Sequence, residues 1–270
     1  MDRLRAFAKA VLYYARGIDL QRISCSLPSN QVIRNRNTVN LAEYLTISSL
    51  RTASESTGPF SLRPLIIFIL GAPGVGKGTI SSFLKETFPT LTHLSYGELV
   101  NYCDKSPGSW VSCLPRRGGS LRPLVPARDA VRLVGDAMKE GIRRHGRMIW
   151  LIDGLPRDQD HVVEWMTQIG RADFILYLSC PPEVSYARMD KRAETSGRPE
   201  DADPAKVRER VQRNIRANGP MLEALEKSGI ELVRVDANRD LPVVKREVLD
   251  HVQNVIQTWI SGQIERARSS

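Results

Sequence analysis

The chain has 270 residues, 41% of them apolar and 26% charged, with a net charge of +9. That composition suits a globular protein of one domain with extensions, or of two small domains. The longest apolar run is Leu65 to Leu70, far short of the roughly 20 residues a membrane-spanning helix needs, so no membrane partner is expected.

The positive charge is uneven. Residues 1–63 hold nine basic and four acidic residues, a net +5, which leaves only +4 for residues 64–270. A basic surface can signal nucleic acid, but no nucleic-acid motif is present, and arginines gathered for phosphate account for the remainder. The four cysteines (Cys25, Cys103, Cys113 and Cys180) form no CxxC pair and have no histidine at zinc-finger spacing, so free thiols in a reducing compartment are expected.

In chain order, residues 1–63 are rich in Arg and Ser, poor in acid, and end in the breaker stretch Ser54 to Pro59. Met1 to Leu20 can form a basic amphipathic helix with Leu4, Phe7, Ala8, Val11 and Leu12 on one face, a composition that fits a mitochondrial transit peptide. A disordered extension is the alternative reading, and the expected compartment is cytoplasmic or mitochondrial. From Leu65 the pattern alternates. Strands are predicted at 65–70, 91–94, 148–152, 174–178 and 230–235. Helices are predicted at 80–87, 127–144, 182–193, 205–217 and 243–260. Strand–helix alternation over this length predicts an α/β fold, a parallel five-stranded sheet covered on both faces, over residues 64–262, with a tail at 263–270.

Gly71-Ala-Pro-Gly-Val-Gly-Lys-Gly-Thr79 follows the first strand directly and opens a helix. In that context, glycines let several backbone N–H groups turn inward onto phosphate oxygens, and the helix N-terminus adds partial positive charge. Lys77 can reach the β- and γ-phosphates. The usual Ser or Thr after the lysine is Gly78 here, and the hydroxyl comes one later, at Thr79. Asp153 ends a buried strand, where a carboxylate can hold magnesium directly or through water. Arg157 follows four residues on and can clamp a phosphate with two bonds. Arg188 and Arg192 are four apart and share a helix face. Phosphoryl transfer asks for positioning and for positive charge around the moving group, and this set supplies both.

The Gly-Lys-Gly-Thr order resembles adenylate kinases and UMP-CMP kinases, and the resemblance to the nucleoside monophosphate kinase family covers about residues 64–260. Leu94-Ser-Tyr-Gly-Glu-Leu99 resembles that family's Leu-Ser-x-Gly-Asp-Leu, Leu124-Val-Pro126 its Leu-Val-Pro, and Asp153-Gly-Leu-Pro-Arg157 its Asp-Gly-Phe-Pro-Arg. Ser196-Gly-Arg198 resembles the start of its lid. The resemblance implies a P-loop three-layer α/β/α fold, a monophosphate-binding insertion near 95–125 and a short, zinc-free lid near 193–204. It implies ATP contacts from Gly71, Ala72, Pro73, Gly74, Val75, Gly76, Gly78 and Thr79, with Arg188 on the adenine. It implies catalytic roles for Lys77, Asp153, Arg192, Arg198 and Arg210. It implies acceptor contacts from Ser95, Gly97, Asn101, Val125, Gly154, Arg157 and His161. The partners implied are ATP with Mg2+ and a nucleoside monophosphate, without nucleic acid or membrane, in a monomer.

Three departures fall on the acceptor side. Asn101 stands where the family carries a phosphate-binding arginine, which lowers the expected affinity unless Arg116 or Arg117 takes its place. Tyr96 stands where a small residue is common and is expected to crowd the base. His161 stands where UMP-CMP kinases carry a base-reading Asn and adenylate kinases a Gln; an exposed helix histidine is the alternative. Gln159, Asp160 and Trp165 match the UMP-CMP kinase string and favour a pyrimidine acceptor. Three other readings stay open: an adenylate kinase, a catalytically weak nucleotide-binding relative, and a nucleic-acid role for the basic N-terminus.

Overall fold

A computed structural model describes residues 63–106, 108–116, 123–196 and 203–269. Five strands make one sheet: β1 (Leu65–Leu70), β2 (Leu91–Ser95), β3 (Ile149–Asp153), β4 (Phe174–Ser179) and β5 (Glu231–Asp236). Their order is β2-β3-β1-β4-β5, and every pairing is parallel. Parallel neighbours cannot be joined by tight hairpins, so helices carry the crossovers. These are α1 (Lys77–Thr87), α2 (Tyr96–Lys105), α3 (Ala127–His145), α4 (Gln159–Gln168), α5 (Pro182–Ser196) and α6 (Pro204–Lys227), with α7 (Leu241–Ser269) after β5. A 3-10 turn, Trp110–Cys113, follows α2. The result is the expected P-loop α/β/α fold.

All six residues of β1 are buried, as a central strand covered on both faces requires. One side of the sheet is filled by Phe68, Trp150 and Ile152 against Val131, Val134 and Trp165 from α3 and α4. Phe68 and Trp165 meet edge to face with ring centroids 4.7 Å apart. The chain leaves β1 for β2, passing over β3, and later crosses from β3 to β4 on the other side of β1. A crevice therefore opens at the carboxyl ends of β1 and β3, the usual ligand position in such sheets. Among the described residues, no helix is long and apolar enough to cross a membrane.

Three helices outrun their predicted ends by more than one residue. α5, expected to stop at 193, runs to Ser196 and takes in the first residues assigned to the lid, of which 197–202 lie outside the described residues. The helix expected to stop at 217, before Gly219 and Pro220, continues to Lys227 because Met221, Leu222 and Leu225 are buried in the core. That burial outweighs the backbone hydrogen bond proline removes. The last helix, expected to end at 260, runs to Ser269 and takes in the residues assigned to a tail. Its continuation, Gln263-Ile-Glu-Arg-Ala-Arg268, is made of good helix formers. Pro64–His251 forms one compact unit. Val252 onward belongs with Arg63 to a second, in which Trp259 Nε1 and Gln263 Nε2 donate to the Arg63 carbonyl at 3.0 and 3.4 Å. The readings made for residues 1–62 lie outside the described residues.

Candidate active site

β1 delivers the chain straight into the glycine loop. A Cβ on Gly71 (φ +137°) would lie 2.2 Å from the Leu178 carbonyl oxygen, and one on Gly74 (φ +84°) 2.6 Å from that of Ser185. The loop is thus pressed between the end of β4 and the first turn of α5, where only glycine fits. Gly76 caps α1 without a side-chain hydrogen bond, and the first turn of α1 holds no acidic residue. Its leading N–H groups and dipole are therefore left for an anion. Gly78 and Thr79 are exposed at this end. Ala72 and Pro73 are half-buried in the loop, and Val75 anchors it in the core.

Lys77 closes the loop from inside. Its Nζ donates to the carbonyls of Gly71 at 2.7 Å and Ala72 at 3.0 Å. The residue as a whole is only half-buried, but its ammonium is turned inward. Burial is the main cause that lowers its pKa from 10.5 to about 8; the Asp153 carboxylate opposes the fall, and Arg157, Arg192 and Arg210 add to it. The charges that act on the ammonium come from β3, from the turn after it, from α5 and from α6. Asp153 arrives through register, paired with Ile69 of β1 on one side and Ser95 of β2 on the other. His93 Nε2 lies 3.6 Å from Asp153 Oδ2.

Asp153 is one hard oxygen donor, 15% exposed, beside the loop that would cradle phosphates. Mg2+ keeps several waters and is commonly held by one or two carboxylates together with substrate phosphates, so this donor set fits it. Among the described residues, no cluster of three or more His, Cys, Asp or Glu side chains is present.

On the donor side, Arg188 reaches two main chains. It donates to the Val75 carbonyl at 3.2 Å and to the Ala237 carbonyl at 2.9 Å. One guanidinium therefore ties the phosphate loop to the turn after β5. The i, i+4 spacing with Arg192 was legible in the sequence; these carbonyl partners, 113 and 49 residues away, were not.

On the acceptor side, Ser95 caps α2, its hydroxyl accepting from the Glu98 N–H at 3.4 Å. Gly97 and Asn101 are half-buried on that helix, and Val125 packs against the core. Gly154 turns the chain at φ +82°, and its carbonyl accepts from Arg157 Nε at 2.9 Å. Tyr96, expected to crowd the base, is instead 3% exposed and packed in the core, with the Arg157 guanidinium 4.6 Å above its ring. His161 is not an exposed helix histidine: it is 7% exposed. Its Nδ1 donates to Asp158 Oδ1 at 2.6 Å, and that bond chiefly holds the Asp158 carboxyl below its usual range. Asp158 also caps α4 by accepting the His161 N–H. The sequence reading missed this cap, although an Asp three residues before His161 at a helix start was a usable signal. His161 Nε2 is buried with no hydrogen-bond partner among the described residues. Arg116 meets Asp104 at 2.7 Å, one turn along α2 from Asn101. Arg117 and Arg198 lie outside the described residues.

A protein-family model described as an AAA domain matches residues 70–208. The chain is similar to the UMP-CMP kinase of Danio rerio, 32% identical over 204 residues that cover 73% of this chain and 98% of the relative. It is 31% identical to the UMP-CMP kinases of Homo sapiens, over 70% of this chain and 96% of the relative, and of Xenopus tropicalis, over 70% and 97%. With a glycine loop closed by Lys77, a carboxylate at the end of β3, and arginines from α5 and α6 around them, the chain belongs to the nucleoside monophosphate kinase family.

Proposed function

We propose that this protein transfers the γ-phosphoryl group of ATP to a pyrimidine nucleoside monophosphate, UMP or CMP. The observation that carries the reading is the Lys77 ammonium bonded into the glycine loop, beside the strand end that carries Asp153, with Arg157, Arg192 and Arg210 close enough to lower its pKa. One acidic and four basic groups around a glycine loop suit two phosphate chains brought end to end and little else. The pyrimidine choice draws on the relatives, which are UMP-CMP kinases, and on the Gln159, Asp160 and Trp165 matches.

In this reading the loop N–H groups and the end of α1 hold the triphosphate, and Arg188 lies against the donor base. Arg157 holds the acceptor's phosphate. An oxygen of that phosphate attacks the γ-phosphorus as the bond to the β,γ-bridging oxygen breaks, so ADP leaves and a nucleoside diphosphate forms. Lys77, Arg192 and Arg210 offset the negative charge on the moving group, where fixed cations act most strongly. Arg198 is assigned to the same cluster. Mg2+ held near Asp153 would neutralise phosphate charge and orient the oxygens. Asn101 supports a second reading, weak acceptor binding, because a neutral amide attracts a dianion less than a guanidinium does.

The test is a coupled ADP-release assay on the full chain with ATP and Mg2+, offering AMP, UMP, CMP, dCMP and GMP separately. Turnover fastest with UMP or CMP is expected. Turnover with AMP alone would make the protein an adenylate kinase. ATP binding without turnover of any acceptor would leave the nucleotide-binding reading.

A further inference from the structure

We propose that Tyr96 is a positioning residue for the acceptor phosphate: its buried ring is a platform that fixes the plane of the Arg157 guanidinium. The inference rests on the proposed function, since it takes Arg157 as the arginine that meets the acceptor.

Arg157 is an exposed side chain. A long arginine in water samples many rotamers, and a phosphate clamp works best when its fork is already oriented. Two of its contacts show how it is restricted. Nε is engaged by the Gly154 carbonyl at 2.9 Å, which sets one edge. The ring of Tyr96 lies 4.6 Å from the guanidinium carbon, within cation–π range, which sets the plane. The platform itself is rigid, because Tyr96 is 3% exposed and packed with Val100 and Leu155 in the core.

Its placement follows from the sheet. Ser95 and Asp153 are register partners on β2 and β3, so the residues just beyond them, Tyr96 and Gly154, leave the sheet side by side. A Cβ on Gly154 would lie 4.0 Å from Tyr96 Cβ and 3.9 Å from Arg157. The only basic residue of α2 is Lys105, at its far end. Since α2 itself brings no basic side chain to its first turns, the orientation of Arg157 weighs more heavily in holding a dianion. An aromatic ring at this point is therefore part of the phosphate clamp and not a wedge in the base pocket.

The experiment measures KM for the acceptor and for ATP, together with Tm, in the full chain and in Tyr96→Phe, Tyr96→Leu and Tyr96→Met. Each is repeated in an Arg157→Ala background. Tyr96→Leu is expected to raise the acceptor KM about 5- to 10-fold, with the ATP KM within about twofold. Tyr96→Phe, which retains a π face, is expected to restore most of the acceptor affinity. Tyr96→Met fills much of the same space without a ring; it matches the leucine variant if the platform matters and serves in its place should that variant not fold. In the Arg157→Ala background, Tyr96→Leu should add nothing to the acceptor KM. An unchanged acceptor KM in the leucine and methionine variants, or an equal loss with Arg157 absent, would overturn the proposal while wild-type turnover upholds the function. A wild type that phosphorylates no monophosphate would overturn both.

Discussion

Lys77 donates to the carbonyl of Gly71 at 2.7 Å, so the phosphate loop is bridged by the cation that serves it. A triphosphate in the loop must draw that ammonium off its own backbone, which suits a lysine that follows charge as it moves. Lys77→Ala is therefore expected to lower kcat by at least about 100-fold. The same variant should keep Tm within a few degrees, since a buried cation costs stability as well as contributing bonds. Wild-type turnover in the ADP-release assay would remove Lys77 from the mechanism.

The depressed pKa of Lys77, about 8 against 10.5, sets a pH dependence. Between those values the unfolded chain binds a proton the folded chain does not, so this residue makes stability rise with pH across that window. Nucleotide binding runs the opposite way, because the free protein loses the loop's cation as pH passes about 8. We expect kcat/KM for ATP to fall on the alkaline side with an apparent pKa near 8. Bound phosphates favour the charged amine, so the kcat profile should break at higher pH. Profiles of both parameters between pH 6 and about 10 check this.

Gly74 sits at φ +84° where a side chain has no room: a Cβ there would lie 2.6 Å from the Ser185 carbonyl oxygen and 2.8 Å from Met189 Cγ, both on α5. Gly74→Ala should destabilise the fold by about 1–3 kcal/mol and raise the ATP KM, because the loop must lift away from α5. Thermal unfolding with ATP titration reads both effects. An unchanged Tm would mean that the loop has more freedom than its packing implies.

Arg188 binds two carbonyls from distant segments. Removing it in Arg188→Met should raise the ATP KM about tenfold, the equivalent of one or two lost charge-assisted hydrogen bonds. The acceptor KM should move far less. Equal changes in both constants would show that Arg188 supports the fold generally and not the donor site.

Asn101→Arg should lower the acceptor KM several-fold by adding a guanidinium to α2. No change would place position 101 outside the acceptor pocket. A lower KM with unchanged kcat is the pattern expected of added ground-state binding.

The sequence by itself determined the sheet, the glycine loop and the Asp153 to Arg157 turn. Each of these is written in neighbouring residues: an uninterrupted apolar run, glycines at fixed offsets, a carboxylate where a strand stops. Only the tertiary structure decided the rest. Tyr96 and Arg157 are far apart in the chain, and nothing in either local string says that one ring lies under the other guanidinium. His161 reads as a polar helix residue, yet packing leaves it only 7% exposed. α6 should break at Gly219-Pro220 by propensity, and it continues because the residues beyond are needed in the core. Gly and Pro cost a helix about 1 and 3 kcal/mol, whereas burial of a few large apolar side chains contributes about 1.5–3 kcal/mol each. Contacts that join residues tens of positions apart therefore settle what neighbouring residues leave undecided.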